Sequence, residues 1–290
     1  MSNACAAGVD IGFVSLGYAK VAALGVVQGI TELLPISSTA HMRVVPALLG
    51  WRDPGSAFSA AMQLAALAAV VSYFWADVSR LATRSLVAVR RRDFEDPSLR
   101  LVMWIALATL PIALAGVALS GLLNQCNSPL RGLAVIGWAC IAMAVLLALA
   151  ELGARHRKTL GEASFADAMI VGVAQIGALI PGVSRSGSTL TAALGLGFKR
   201  EEAARFSFLL GLPAIALAGL KEVWELHKVH LDAHGWSVLG VGLVVASISA
   251  FVAIWGLMRI LERFSAWPFV IYRGVLGVGL LVGVAAGALH

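Results

Sequence analysis

Six long apolar stretches constrain the fold of this chain more than any other feature of its sequence. Each is close to the roughly 20 residues that an α-helix needs to cross about 30 Å of hydrocarbon. They lie at about 57–75, 101–122, 131–152, 206–225, 237–258 and 268–288. Hydrophobic residues make up 59% and charged residues only 13% of the 290-residue chain. Since soluble domains contain about 25% charged residues, the sequence predicts a multi-pass membrane protein and excludes a soluble enzyme.

Two further apolar regions, at about 15–50 and 165–197, are interrupted by Gly, Pro and runs of Ser and Thr. Lipid cannot satisfy the N–H and C=O groups of irregular backbone, so such segments must be buried in protein or line a watery cavity. Both regions are therefore predicted to be re-entrant helical hairpins. The expected fold is an all-α integral membrane protein with six transmembrane helices and two such hairpins.

The two interrupted regions match each other when the chain is shifted by 147 residues. GVVQGITELLPISST at 25–39 then lies over GVAQIGALIPGVSRS at 172–186, and one register step further 58–68 lies over 206–216. Each half reads as one hairpin and three spans, so the halves should have opposite orientations, as in an inverted-topology repeat. Within a single membrane domain, 1–290, repeat 1 is expected at about 11–152 and repeat 2 at about 160–288. Chance similarity among Gly-, Ala- and Leu-rich segments is the alternative.

The Lys and Arg residues between the spans predict the orientation of the chain. Alternate loops at 76–100, 153–164, 198–205 and 259–267 contain 14 of the 22 cations, and the opposite loops contain six. Because cytoplasmic loops are enriched in Lys and Arg, the first set is placed in the cytoplasm. Both termini and the opening of any site are then expected on the outer side. The net charge of +6 follows from this loop pattern, so nucleic-acid binding is not expected.

Glu32 is the acidic residue of the first interrupted region that most needs an explanation. A charged group within a span costs at least roughly 2.5–3.5 kcal/mol on insertion scales. Gln28 lies four residues earlier, so a helix would place both side chains on one face. A Gln–Glu hydrogen bond that serves only helix packing is the alternative to a functional role.

A hydroxyl cluster follows Glu32 in the segment PISSTAH. Pro35 should end or kink the helix, after which Ser37, Ser38 and Thr39 supply more hydroxyls than the cap of one helix needs. His41 lies three residues after Ser38, a spacing that a hydroxyl nucleophile and its base could use. Taken alone, this Ser–His spacing is a weak indication of catalysis.

The second interrupted region has the composition of an anion site. In PGVSRSGST, Arg185 lies between Ser184 and Ser186 in a loop bounded by Gly182 and Gly187. Glycines allow a ligand to approach the backbone, N–H groups at a helix start attract anions, and a guanidinium binds phosphate oxygens bidentately. An Arg that only holds helix carbonyls is the alternative.

Arg273 is a second cation within an apolar stretch. It could line the same cavity and bind substrate, or pair with Glu151 or Glu262, and the sequence leaves this choice open.

QGITELLPISSTAHM at 28–42 and PGVSRSGST at 181–189 resemble the two signature segments of the bacterial undecaprenyl-diphosphate phosphatase family, also called the bacitracin-resistance family. The resemblance extends over essentially the whole chain, including FSFLL at 206–210 and IYR at 271–273. It implies a multi-pass enzyme of the bacterial plasma membrane that removes the terminal phosphate from undecaprenyl diphosphate. This activity regenerates the lipid carrier of cell-wall synthesis. A polyprenyl diphosphate lipid is thus the expected partner. A homodimer is one possible assembly, and the sequence leaves the oligomeric state open.

The resemblance also implies roles for individual residues. The motif's catalytic positions match Glu32, Ser38, His41 and Arg185, and the neighbouring substrate-binding positions are Gln28, Ser37, Thr39, Ser184 and Ser186. Gln28 stands where many family members have a second Glu, and Ala40 where Gly is usual. The first departure puts in doubt a mechanism in which two carboxylates hold Mg²⁺ or Ca²⁺, so a cation on Glu32 is an open expectation.

The resulting hypothesis is phosphoryl transfer. Arg185 and nearby N–H groups would hold the diphosphate, Ser38 would attack, and His41 would relay its proton, with attack by water and His41 as base as a variant. Glu32 would orient His41 or bind the cation. The competing class is a secondary transporter or flippase for a lipid phosphate or other anion, since inverted repeats with broken helices are typical of carriers. A third class, an intramembrane peptidase, would cleave protein without releasing phosphate.

Overall fold

The computed structural model describes residues 10–119, 121, 130, 132–287 and 289. Residues 1–9, 120, 122–129, 131, 288 and 290 lie outside the described residues. The predicted outer location of both chain ends therefore concerns residues that are not described. In the described part the regular elements are helices. The α-helices are α1 Gly17–Leu33, α2 Ser38–Leu48, α3 Ser56–Ala61, α4 Gln63–Tyr73, α5 Trp75–Arg91, α6 Pro97–Ala118, α7 Leu133–Gly153, α8 Phe165–Ala174, α9 Arg185–Gly195, α10 Arg200–Lys228, α11 Ala233–Arg263 and α12 Trp267–Ala285.

Each of the six predicted spans corresponds to a helix long and apolar enough to cross a membrane, so the membrane fold is confirmed. The first span consists of α3 and α4 in succession, Ser56–Tyr73, and the others are α6, α7, α10, α11 and α12. The described residues contain a seventh candidate, Gly12–Leu33, formed by a 3₁₀ turn and α1. The sequence assigns this segment to the first hairpin, because Pro35 interrupts the region. The helix is nevertheless continuous to Leu33, which makes this arm as long as a span.

Both interrupted regions are broken helices, as predicted. In the first, α1 ends at Leu33 and α2 begins at Ser38. In the second, α8 continues as a 3₁₀ turn to Leu179, and α9 begins at Arg185. The short helices α2 and α9 are each 11 residues long. Two short helices of equal length therefore start inside the protein.

The residue before each short helix adopts the same unusual conformation. Ser37 has a φ of 72° and Ser184 a φ of 71°, a region that non-glycine residues seldom occupy. Each serine Oγ accepts a hydrogen bond from the backbone N–H three residues later, that of Ala40 at 3.4 Å and that of Gly187 at 3.1 Å. Because the 147-residue shift aligns Ser37 with Ser184, the two breaks are equivalent in local geometry.

Glycines at matching positions bring equivalent helices into contact. A Cβ at Gly25 of α1 would lie 2.9 Å from the carbonyl oxygen of Gly242 on α11. One at Gly172 of α8 would lie 2.8 Å from Cβ of Ala108 on α6. Small residues allow helices to approach closely in membranes. The packing thus agrees with the repeat, whereas the bounds of the two halves and their opposite orientations stay predictions.

Gly29 offers a test of this packing, because its added Cβ would lie 2.8 Å from the backbone N of Ala250 and overlap the Ala246 carbonyl. We expect Gly29→Ala to reduce the free energy of unfolding by about 1–3 kcal/mol, the usual cost of overpacking. The thermal unfolding midpoint in detergent measures this. Gly256→Ala on α11 is the matched control, because its Cβ would meet nothing within 4 Å. Equal midpoints for the two variants would contradict the prediction.

Candidate active site

Glu32 lies where the two breaks meet, and its side chain is only 5% exposed. Its Oε2 accepts hydrogen bonds from Ser38 Oγ at 2.6 Å and from Gln28 Nε2 at 3.0 Å. Its Oε1 lies 3.4 Å from Nη2 of Arg185 in the other half of the chain. The structure thus brings a carboxylate, a hydroxyl and a guanidinium together, all three of them predicted site residues.

Ser38 and Arg185 occupy equivalent places, since each is the first residue of its short helix. The free N–H groups at a helix start carry partial positive charge and bind anions. The first turns of α2 and α9 contain no acidic residue that would offset this charge. Both helix starts therefore add positive potential at the place where the two side chains meet Glu32.

Arg185 has more hydrogen-bond donors than partners. Its side chain is 9% exposed, and among the described residues Nε and Nη1 have no hydrogen-bond partner. Gly211 on α10 provides the space for this guanidinium, because a Cβ there would overlap Nη1. A buried charged group with unpaired donors is costly. The unpaired donors are groups that a bound anion would satisfy, and Gly211 is a residue that could not be selected from the sequence.

His41 lies on α2 but does not contact Ser38. Its Nδ1 is 2.7 Å from the carbonyl oxygen of Ser37, and its Nε2 is 2.6 Å from the hydroxyl of Tyr272 on α12. Residues three apart on a helix point about 60° apart, which directs His41 towards α12 and Ser38 towards Glu32. The predicted Ser38–His41 contact is therefore not formed, and Tyr272 is a second residue that the sequence analysis missed.

Arg273 holds the two breaks together and is completely buried. Its Nη1 donates to the Pro35 carbonyl at 3.0 Å, and its Nη2 lies 2.8 and 2.9 Å from the carbonyls of Gly182 and Val183. From the sequence, the holding of carbonyls is an alternative role for Arg185, and substrate binding is a predicted role of Arg273. Backbone carbonyls occupy both Nη atoms and no surface is exposed, so Arg273 positions the two breaks in this structure, and its predicted contact with substrate stays a prediction.

The carboxylates considered as partners of Arg273 lie elsewhere. Glu151 pairs with Arg200 on α10 at 2.5 Å. Within the described residues, no ion pair joins Arg273 to Glu262 either. The charge of Arg273 is thus balanced by carbonyl dipoles of the breaks.

The flanking serines also fasten one break to the other. Ser186 Oγ lies 3.1 Å from the carbonyl oxygens of both Glu32 and Leu34 and can donate to either. Ser184 Oγ is 3.2 Å from Ser186 Oγ, and Ser37 is fully buried as the cap of α2. These three predicted substrate-binding residues have protein partners, so their first effect is to shape the site.

A cavity of about 260 Å³ adjoins this cluster. Among the predicted residues, Gln28, Ser38 and Thr39 line it. It also contains polar residues that the sequence analysis did not select, namely Arg43, Asp53, Ser56, Ser59 and Gln63. Ser59 and Gln63 are four residues apart within an apolar span, a spacing that places both on one helix face. This pattern could have identified the inward face of that span.

A complete metal site is not present among the side chains that the structure describes. In the described ranges, no group of three or more His, Cys, Asp or Glu side chains is placed to hold a metal ion. Glu32 is the carboxylate in contact with Ser38 and Arg185, and both of its oxygens already have protein partners. An ion bound there would need most of its ligands from outside the chain.

The chain is similar to named proteins over nearly its whole length. The family model described as bacitracin resistance protein BacA matches residues 21–279. A protein named undecaprenyl-diphosphatase 2 from Mesorhizobium japonicum is 81% identical over 262 residues, which are 90% of this chain and 99% of that protein. The undecaprenyl-diphosphatases of Synechococcus elongatus and Gloeobacter violaceus are 46% and 47% identical, with 92% and 94% of this chain and 93% and 94% of theirs aligned.

Proposed function

The chain belongs to the bacitracin resistance protein BacA family, and from this membership and the site geometry we propose that it hydrolyses undecaprenyl diphosphate. The products are undecaprenyl phosphate, which serves again as the lipid carrier of cell-wall synthesis, and inorganic phosphate. The enzyme is a multi-pass protein of the bacterial plasma membrane. Its relatives with 46% to 81% identity are named for this reaction.

One observation supports the reaction more than any other: Ser38 Oγ lies 2.6 Å from Glu32 Oε2, beside Arg185, whose Nε and Nη1 have no hydrogen-bond partner among the described residues. A base beside a hydroxyl activates it as a nucleophile for bond cleavage, and the guanidinium can bind the phosphate that is attacked. A carrier for a lipid phosphate would need the guanidinium but no activated hydroxyl. No observation favours the transporter.

The geometry supports a two-step mechanism. Arg185 and the N–H groups at the starts of α2 and α9 bind the diphosphate. Ser38 Oγ attacks the terminal phosphorus while its proton passes to Glu32, and the bond from that phosphorus to the bridging oxygen breaks. Undecaprenyl phosphate leaves with the bonding electrons, and water then hydrolyses the phosphoserine to inorganic phosphate and Ser38. Glu32 takes the role of base that the sequence analysis gave to His41, because Glu32 is the group in contact with Ser38.

Sidedness and assembly remain part of the proposal. The cavity opens on the outer side, where both termini lie, and the Arg-rich end of α5 is cytoplasmic. The excess of cations in the loops of one side supports this orientation. A homodimer stays a prediction.

A divalent cation, Mg²⁺ or Ca²⁺, also stays a prediction, and Gln28 provides its test. Gln28→Glu would add a second carboxylate at hydrogen-bonding distance from Glu32, and hard cations bind more tightly as carboxylate ligands increase. We expect this variant to need less cation than the wild type for half-maximal phosphate release after EDTA treatment. Gln63→Glu adds the same charge to the cavity without a contact to Glu32. Identical cation titrations for both variants would contradict the prediction.

The direct experiment is phosphate release from undecaprenyl diphosphate by the purified protein in detergent. We expect turnover of the long-chain diphosphate. A well-folded protein that releases no phosphate, yet moves lipid phosphate across vesicle membranes, would overturn the proposal in favour of the transporter.

A further inference from the structure

Tyr272 lies on the exposed face of α12 and contacts the buried site. Its hydroxyl lies 2.6 Å from His41 Nε2, and the two rings stack with centroids 5.7 Å apart and planes inclined by 11°. His41 is buried, whereas Tyr272 is 44% exposed, beside the exposed side chains of Ile271 and Val275. Tyr272 therefore lies on the exposed face of α12, and its hydroxyl contacts a histidine inside the protein.

The partners of His41 determine which nitrogen bears its proton. The carbonyl oxygen of Ser37 can only accept a hydrogen bond, so Nδ1–H of His41 donates to it. In the neutral imidazole, Nε2 then has a lone pair and accepts a hydrogen bond from the Tyr272 hydroxyl. Both nitrogens are thus occupied, and the ring is fixed in one tautomer and one orientation.

The histidine in turn holds the backbone immediately before the nucleophile. Ser37 has a positive φ of 72°, a conformation that persists in a non-glycine residue only when its surroundings enforce it. The hydrogen bond from His41 fixes the Ser37 carbonyl, and this peptide unit leads directly to Ser38. Arg273, the neighbour of Tyr272 on α12, holds the carbonyls of Pro35, Gly182 and Val183. Two consecutive residues of α12 thus support both breaks.

We propose that Tyr272 is a positioning residue, which acts through His41 and Ser37 to keep Ser38 at hydrogen-bonding distance from Glu32. The inference rests on the proposed phosphatase function. It gives His41 a supporting role, as the link between α12 and the first break. Arg273, on the same helix, is a charged group that interacts electrostatically with His41.

Tyr272→Phe tests the proposal, because it retains the stacked ring and removes only the hydroxyl. We expect kcat for undecaprenyl diphosphate to fall about tenfold, the effect of one lost hydrogen bond on the alignment of the nucleophile. KM should change less than about twofold, because Arg185 still binds the diphosphate. Tyr18→Phe is the matched control. Tyr18 also contacts a histidine, His234, with ring centroids 5.5 Å apart, but does so between α1 and α11.

A spectroscopic measurement separates positioning from a general loss of structure. In protein labelled with ¹⁵N-histidine, the Nε2 signal of His41, identified by its absence in His41→Gln, should shift in Tyr272→Phe and stay unchanged in Tyr18→Phe. An unchanged His41 signal, or a Tyr272→Phe enzyme with wild-type kcat, would overturn the role of Tyr272. A wild-type protein that releases no phosphate would instead overturn the phosphatase function, so the two failures are distinguishable.

Discussion

Arg185→Ala is expected to lower kcat/KM for undecaprenyl diphosphate by about a thousandfold or more, in the range found for arginines that stabilise a transferring phosphoryl group. The buried Nε and Nη1 of Arg185 have no protein partner among the described residues, so these donors are available to phosphate oxygens. In a site shielded from water, an interaction with developing charge is stronger than in solution. The measurement is steady-state phosphate release in detergent.

Two further variants show whether the shape of the guanidinium matters. Arg185→Lys retains the charge but loses the planar fork, so we expect activity between those of the wild type and Arg185→Ala. Gly211→Ala should also reduce activity, because its Cβ would displace Nη1 of Arg185. Arg84→Ala, on the exposed surface of α5, is the control and should behave as wild type. More than a tenth of wild-type activity in Arg185→Ala, with the thermal midpoint retained, would refute the assigned role.

The second large effect is expected at the nucleophile. Ser38→Ala should reduce kcat by about a thousandfold or more, because a covalent mechanism loses its nucleophile. Attack by water would instead leave Ser38→Ala with much of its activity. Wild-type enzyme stopped during turnover should contain a phosphoserine at position 38, detectable by mass spectrometry of the intact protein and its peptides. Rapid turnover by Ser38→Ala, or phosphate on another hydroxyl, would contradict the mechanism.

Glu32→Gln tests the base with almost no change in shape. It removes the negative charge that accepts the proton from Ser38, so we expect a loss similar to that of Ser38→Ala. Because the two residues act as a unit, the double variant should be little worse than either single one. Ser247→Ala, which removes a hydroxyl bonded to the Leu243 carbonyl on α11, controls for the loss of a hydroxyl. Additive losses in the double variant would indicate that Glu32 and Ser38 act in separate steps.

The membrane architecture and the places of both breaks could be predicted from the sequence. A spanning helix must satisfy its own backbone, so its composition and length are visible in a local stretch of sequence. Pro35 and the Ser–Thr runs marked where this regularity stops, and the 147-residue repeat matched Ser37 with Ser184 before any geometry was known. The length of α1 is less evident from the sequence. Pro35 and the Ser–Thr run mark the region 15–50 as interrupted, but they do not show that the helix before them is continuous to Leu33.

The assignment of partners within the site depended on long-range packing. Helical spacing indicates that Ser38 and His41 point in similar directions. It does not indicate that Ser38 contacts Glu32 whereas His41 contacts Tyr272. Arg185 and Arg273 are the same residue type in similarly apolar segments. Their roles differ because Gly211 leaves space around one guanidinium, whereas the carbonyls of both breaks surround the other. Local sequence thus specifies which groups each helix presents, and the contacts between helices distant in the chain determine which groups remain free to bind a substrate.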